Sequence, residues 1–94
     1  DYQIDSRIFE KYKKMFKIPD GSTDLDQPNR KLVEAFRKRS LPVLDLLPVF
    51  REKTGKGLRL YGLINNHLSA EGHLAAAEAL LPTLEKIFKL RRSL

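Results

Sequence analysis

His67 is the residue of this chain best suited to proton transfer. It lies in Leu60-Tyr61-Gly62-Leu63-Ile64-Asn65-Asn66-His67-Leu68-Ser69-Ala70-Glu71-Gly72-His73, on a loop immediately before a helix start. A neutral imidazole near pH 7 can accept a proton from a nucleophile and return it to a leaving group, as a general base must. A carboxylate usually orients such a histidine, yet the residues on its N-terminal side are the amides Asn65 and Asn66 and the aliphatics Ile64 and Leu63. Asn65 can accept a hydrogen bond from the ring through its amide oxygen and hold the tautomer, but it supplies no negative charge.

The other polar candidates carry plainer roles. His73 reads as structural, since its spacing from His67 does not stack the two rings on one helical face and no carboxylate–histidine cluster accompanies them. No metal and no cofactor is expected. Asp45 stands at the end of an apolar run, where an aspartate caps the following turn or helix. Glu71 falls in the first turn of the last helix and serves its dipole. Tyr61 and Phe50 read as core or pocket wall.

These residues need elements to position them. From Ser6 to Lys17, Ile8, Phe9, Tyr12, Met15 and Phe16 recur at helical spacing with Glu10 and four lysines on the other side. Residues 18–27 hold the turn formers Pro19-Asp20-Gly21-Ser22, with Asp24 or Asp26 available to cap the next helix. Pro28 suits the first turn of that second helix, whose stripe of Leu32, Val33 and Phe36 ends by Arg39-Ser40. Leu41-Pro42-Val43-Leu44-Asp45-Leu46 is short, apolar and aperiodic, the pattern of a strand buried on both faces of a parallel sheet. A brief helix over 47–53 and a flexible Thr54-Gly55-Lys56-Gly57 turn come next. Ser69 is expected to cap a last helix built on Leu74, Ala77, Leu80, Leu81, Leu84, Ile87 and Phe88, which Pro82 should kink or restart.

Ninety-four residues suffice for one small domain, and the 41% hydrophobic and 32% charged content is that of a globular protein. No apolar run is long enough to span a bilayer. The absence of cysteine removes a disulfide framework, a thiolate metal site and a cysteine nucleophile together. Net charge is +6, which raises the question of an anionic partner. The cations lie mostly on solvated helix faces among Glu10, Glu34 and Glu85, without an aromatic stacking platform, so no nucleic-acid partner is expected. No compartment is indicated.

A single strand among helical segments leaves backbone donors and acceptors unpaired unless other strands lie beside it. Either a second copy supplies them, or the chain is part of a larger sheet. An opening Asp1-Tyr2-Gln3 without methionine favours the second.

Three blocks, in order, resemble the C-terminal part of SGNH, or GDSL-type, hydrolases. Asp24-Leu25-Asp26-Gln27-Pro28-Asn29-Arg30-Lys31-Leu32 is similar to the entry into the family's penultimate helix, and Leu41 to Phe50 to its last core strand and exit. His67-Leu68-Ser69-Ala70-Glu71-Gly72-His73 is similar to its last block, where the catalytic histidine precedes a polar cap and a Gly-His pair. The resemblance implies an α/β fold, the C-terminal part of a three-layer α/β/α flavodoxin-like sandwich, helix-rich in this segment with one main buried strand. It implies that residues 1–94 form a single segment whose nucleophile-bearing N-terminal half is absent, since Ser6, Ser22, Ser40, Ser69 and Ser93 do not sit in a Gly-Asp-Ser block.

By the same resemblance the complete protein is a serine esterase acting on acyl-ester small molecules or carbohydrate esters, or an acetyl-transferring relative, with His67 as catalytic base. The family's orienting aspartate stands two or three residues earlier, where this chain has Asn65 and Ile64. In serine proteases an aspartate-to-asparagine change at the corresponding place costs roughly 10⁴ in turnover. A weak hydrolase, a pseudoenzyme or a deliberately altered chain is the consequence of that departure. The alternative is a non-catalytic interaction module that pairs with a missing N-terminal half, another chain or itself.

Overall fold

A computed structural model describes residues 1–62 and 67–92, the last three of these as backbone only. Four helices succeed one another: α1 (Ser6–Phe16), α2 (Gln27–Lys38), α3 (Leu47–Gly55) and α4 (Ala70–Arg92). The described residues contain no strand and no sheet, only one isolated antiparallel bridge between Tyr61 and Leu68. The expected α/β architecture with a buried strand is therefore overturned.

Leu41–Leu46 connects α2 to α3 as an irregular segment, with Leu41 half exposed and no residue of the run buried. The physical reason lies in pairing. A strand needs neighbours for its backbone groups, and no other extended run among the described residues supplies one. Pro42 lacks an N–H, Ser40 turns the chain with a left-handed φ of 54°, and Asp45 spends its carboxylate on the next helix.

Each helix boundary has a local cause. Asp5 caps α1 by accepting a hydrogen bond from the Arg7 backbone N–H at 2.9 Å, and Lys17 ends it in the left-handed conformation. Pro28 sits in the first turn of α2, where a missing N–H costs nothing, and Pro48 does the same for α3. Asp45 Oδ1 accepts from the Leu47 N–H at 3.0 Å at the start of α3, the capping role expected of it. Helix α4 runs on through Pro82 instead of restarting there.

The core is small and lies where α3, the 60–61 segment and the first turns of α4 meet. Leu47, Phe50, Leu60 and Ala75 are its buried apolar residues, with Leu60 only 2% exposed. Ile4, Leu46, Val49, Tyr61, Leu68 and Ala76 pack around its central cluster. Polar clasps bring in the rest of the chain. Gln3 Nε2 donates to the Leu25 carbonyl at 2.7 Å and to Asn29 Oδ1 at 3.1 Å, while Arg51 donates through Nε to the Gln3 carbonyl and through Nη2 to Asp26 Oδ1. Asn29 Nδ2 in turn donates to Asp45 Oδ1 at 2.8 Å. The N-terminal residues, α2 and α3 are thus joined through side chains more than through a shared apolar interior.

Much apolar surface stays uncovered. Met15, Phe16, Leu32, Leu74, Leu81 and Phe88 are each more than half exposed. The radius of gyration is 16.2 Å, against about 12 Å for a compact domain of this length.

Candidate active-site loop

The loop bearing His67 is closed at its base by backbone bonds. Gly62 N–H donates to the His67 carbonyl at 2.8 Å, Tyr61 bridges to Leu68, and Ser69 N–H donates to the Leu60 carbonyl at 2.8 Å. Both arms rest on Leu60, the most completely buried large side chain among the described residues. The bond from Gly62 anchors the His67 backbone, and the residue as a whole is exposed. Asn65, expected in the orienting place, lies outside the described residues.

Helix α4 begins directly after this closure. The Ser69 hydroxyl accepts from Gly72 N–H at 3.1 Å, as an N-cap does, and donates to the Arg59 carbonyl at 2.6 Å. The cap expected at Ser69 is therefore also a staple to the preceding arm. With both bonding roles of its oxygen engaged, this hydroxyl is not a poised nucleophile. Gly72 completes the joint: a Cβ there would stand 2.1 Å from the Leu60 carbonyl oxygen and 3.1 Å from Leu68 Cδ2. Only a residue without a side chain lets α4 approach the 60–61 arm so closely.

The secondary candidates separate from the loop's chemistry. His73 is exposed in the first turns of α4, and its backbone N–H donates to the Ser69 carbonyl at 2.9 Å. Glu71 is exposed in the first turn of α4, where a carboxylate complements the helix dipole. Among the described residues no group of three metal-ligating side chains could hold a metal ion. Phe50 is buried and Tyr61 half-buried, their rings edge-to-face with centroids 6.3 Å apart, and burial pushes the Tyr61 phenol above its ordinary pKa.

A groove of about 880 Å³ opens beside the loop's first arm, between α1 and residues 54–62. Ile8 and Met15 line one wall, Leu58 and Tyr61 the other, and Lys11 and Arg59 contribute cations. Sequence reasoning does not find this groove, because its walls, Asp1 to Met15 and Thr54 to Gly62, are far apart in the chain and share no motif. Gly72 does offer a signal, since an isolated glycine inside a helical pattern commonly marks a close approach.

No helix among the described residues is long and apolar enough to cross a membrane. No protein-family model, curated protein or solved structure matches the chain.

Proposed function

We propose that residues 1–94 are the histidine-bearing segment of a serine-dependent ester hydrolase, with His67 as general base and the serine supplied by polypeptide outside these residues. The observation that carries this reading is the pinned loop, in which an exposed histidine stands on a backbone held by the 2.8 Å bond from Gly62 to the His67 carbonyl. The similarity of the block from His67 to His73 to the SGNH histidine block supplies the reaction class. The helical architecture removes Leu41 to Phe50 as a core strand and with it that part of the resemblance, so the reading rests on the histidine block and on the fact that serine–histidine pairs recur on unrelated folds. In the full-length polypeptide the imidazole would take the serine proton during acylation and return it to the leaving alkoxide.

Turnover of a short acyl ester by the full-length polypeptide, with His67→Ala and Asn65→Asp beside it, tests the reading. His67→Ala should abolish turnover, and Asn65→Asp should raise it, toward the roughly 10⁴ that an orienting carboxylate supplies elsewhere. Equal activity in all three would remove His67 from the chemistry.

A second reading is an interaction module without catalysis. The apolar surface left open on α1, α2 and α4 and the 16.2 Å radius of gyration favour it. A purified chain that sediments above its 10.9 kDa monomer mass, with no ester turnover by the full-length polypeptide, would select this second reading.

A further inference from the structure

Ser69 lies two residues after His67 and is held on four sides. Its N–H reaches the Leu60 carbonyl, its carbonyl receives His73 N–H, and its hydroxyl both donates to the Arg59 carbonyl and accepts from Gly72 N–H. Capping alone needs only an acceptor, which aspartate or asparagine supplies equally well. The 2.6 Å bond to the Arg59 carbonyl needs a donor as well, and a short hydroxyl side chain provides both from one atom.

We propose that Ser69 is a positioning residue for His67: its hydroxyl couples the N-terminus of α4 to the 59–62 arm and so fixes where the imidazole stands. This rests on His67 being the general base of the proposed hydrolase. Arg59 and Leu60 form one arm of the loop and Leu68 and Ser69 the other, with Gly62 bonded to His67 between them. Loss of the hydroxyl donor leaves the arms joined by the Gly62–His67 and Ser69–Leu60 backbone bonds without the side-chain staple, so they open more often and His67 moves with the second. Misplacement of a catalytic group by about 1 Å can cost roughly 10² in rate.

Three substitutions separate capping from stapling. Ser69→Asp keeps the cap acceptor and lacks the donor, Ser69→Thr keeps both, and Ser69→Gly, tolerated at an N-cap, removes the hydroxyl without adding charge. In the 94-residue chain, amide exchange at Gly62 should quicken tenfold or more in Ser69→Asp and Ser69→Gly while the helical circular dichroism is retained. In Ser69→Thr it should stay within about twofold of the parent, since the donor is restored. In the full-length polypeptide the first two variants should lower kcat at least tenfold with KM little changed, and threonine should rescue it.

Unchanged Gly62 exchange in both donor-lacking variants with α4 intact overturns the proposal, as does a threonine variant that behaves like aspartate. Collapse of the helical signal in both donor-lacking variants overturns it too, because Ser69 would then be a stability residue. Absence of ester turnover in the parent defeats the hydrolase reading alone, and the exchange experiment still decides what Ser69 does.

Discussion

Gly72 and Leu60 touch through their backbones: the position a Cβ would occupy on Gly72 is 2.1 Å from the Leu60 carbonyl oxygen. That oxygen also accepts the Ser69 N–H, so it cannot retreat without breaking the closure beneath His67. Gly72→Ala should therefore destabilise the chain by about 1–3 kcal/mol, the usual cost of forcing atoms into a packed joint, despite alanine's better helix propensity. Urea unfolding monitored by circular dichroism measures it; a neutral or stabilising result would mean that α4 shifts freely from the 60–61 arm.

Phe50 is 4% exposed and joins α3 to Leu60 and Ala75. Phe50→Ala should remove about 3–5 kcal/mol, enough to unfold so small a core outright, whereas Phe50→Leu should retain a cooperative transition. Thermal melts of the two variants decide this.

Asp26 is held below the usual carboxylate range chiefly by the hydrogen bond from Arg51, whose Nη2 is 2.6 Å from Oδ1. A depressed folded-state pKa adds stability that is present above the unfolded carboxylate value and lost as pH falls through the folded one. Melting temperature should thus fall on acidification below about pH 4, and Arg51→Gln should flatten that acid limb while lowering the neutral plateau. The pair is solvent-accessible, so the change should be modest and should shrink in high salt. Melts of the two proteins from neutral pH down through the carboxylate range test the sign.

Lys53 and Glu78 pair across α3 and α4 at 3.7 Å, with both side chains partly exposed. A double-mutant cycle should give a coupling of no more than about 0.5 kcal/mol that vanishes in roughly molar salt. A salt-insensitive coupling above about 1 kcal/mol would mean that the pair is shielded from solvent.

The four helices are legible in the sequence because their periodicity and caps are local: Pro28 and Pro48 in first turns, Asp45 before α3 and Ser69 before α4 all act within a few residues. Leu41–Leu46 misleads because an apolar run specifies burial, whereas a strand also requires a neighbour, which lies beyond any local pattern. At the candidate site, the place of His67 before α4 is readable from Ser69 and the apolar spacing after it. The groove beside it is not, since nothing in residues 4–15 announces that they will face residues 54–62. Charge patterning likewise cannot reveal that Arg51 reaches back to Gln3 and Asp26.

That last clasp sets an order of events in time. The bond from Arg51 to the Gln3 carbonyl joins residues 48 apart, and closing a loop of that length costs roughly 3 kcal/mol in chain entropy. The α3–loop–α4 joint closes over far shorter separations, and local contacts form first. The N-terminal residues should dock late in folding and release early. Because α1 has no buried residue of its own, that release would carry the helix away as a unit and open the groove beside the histidine loop before the joint beneath it loosens.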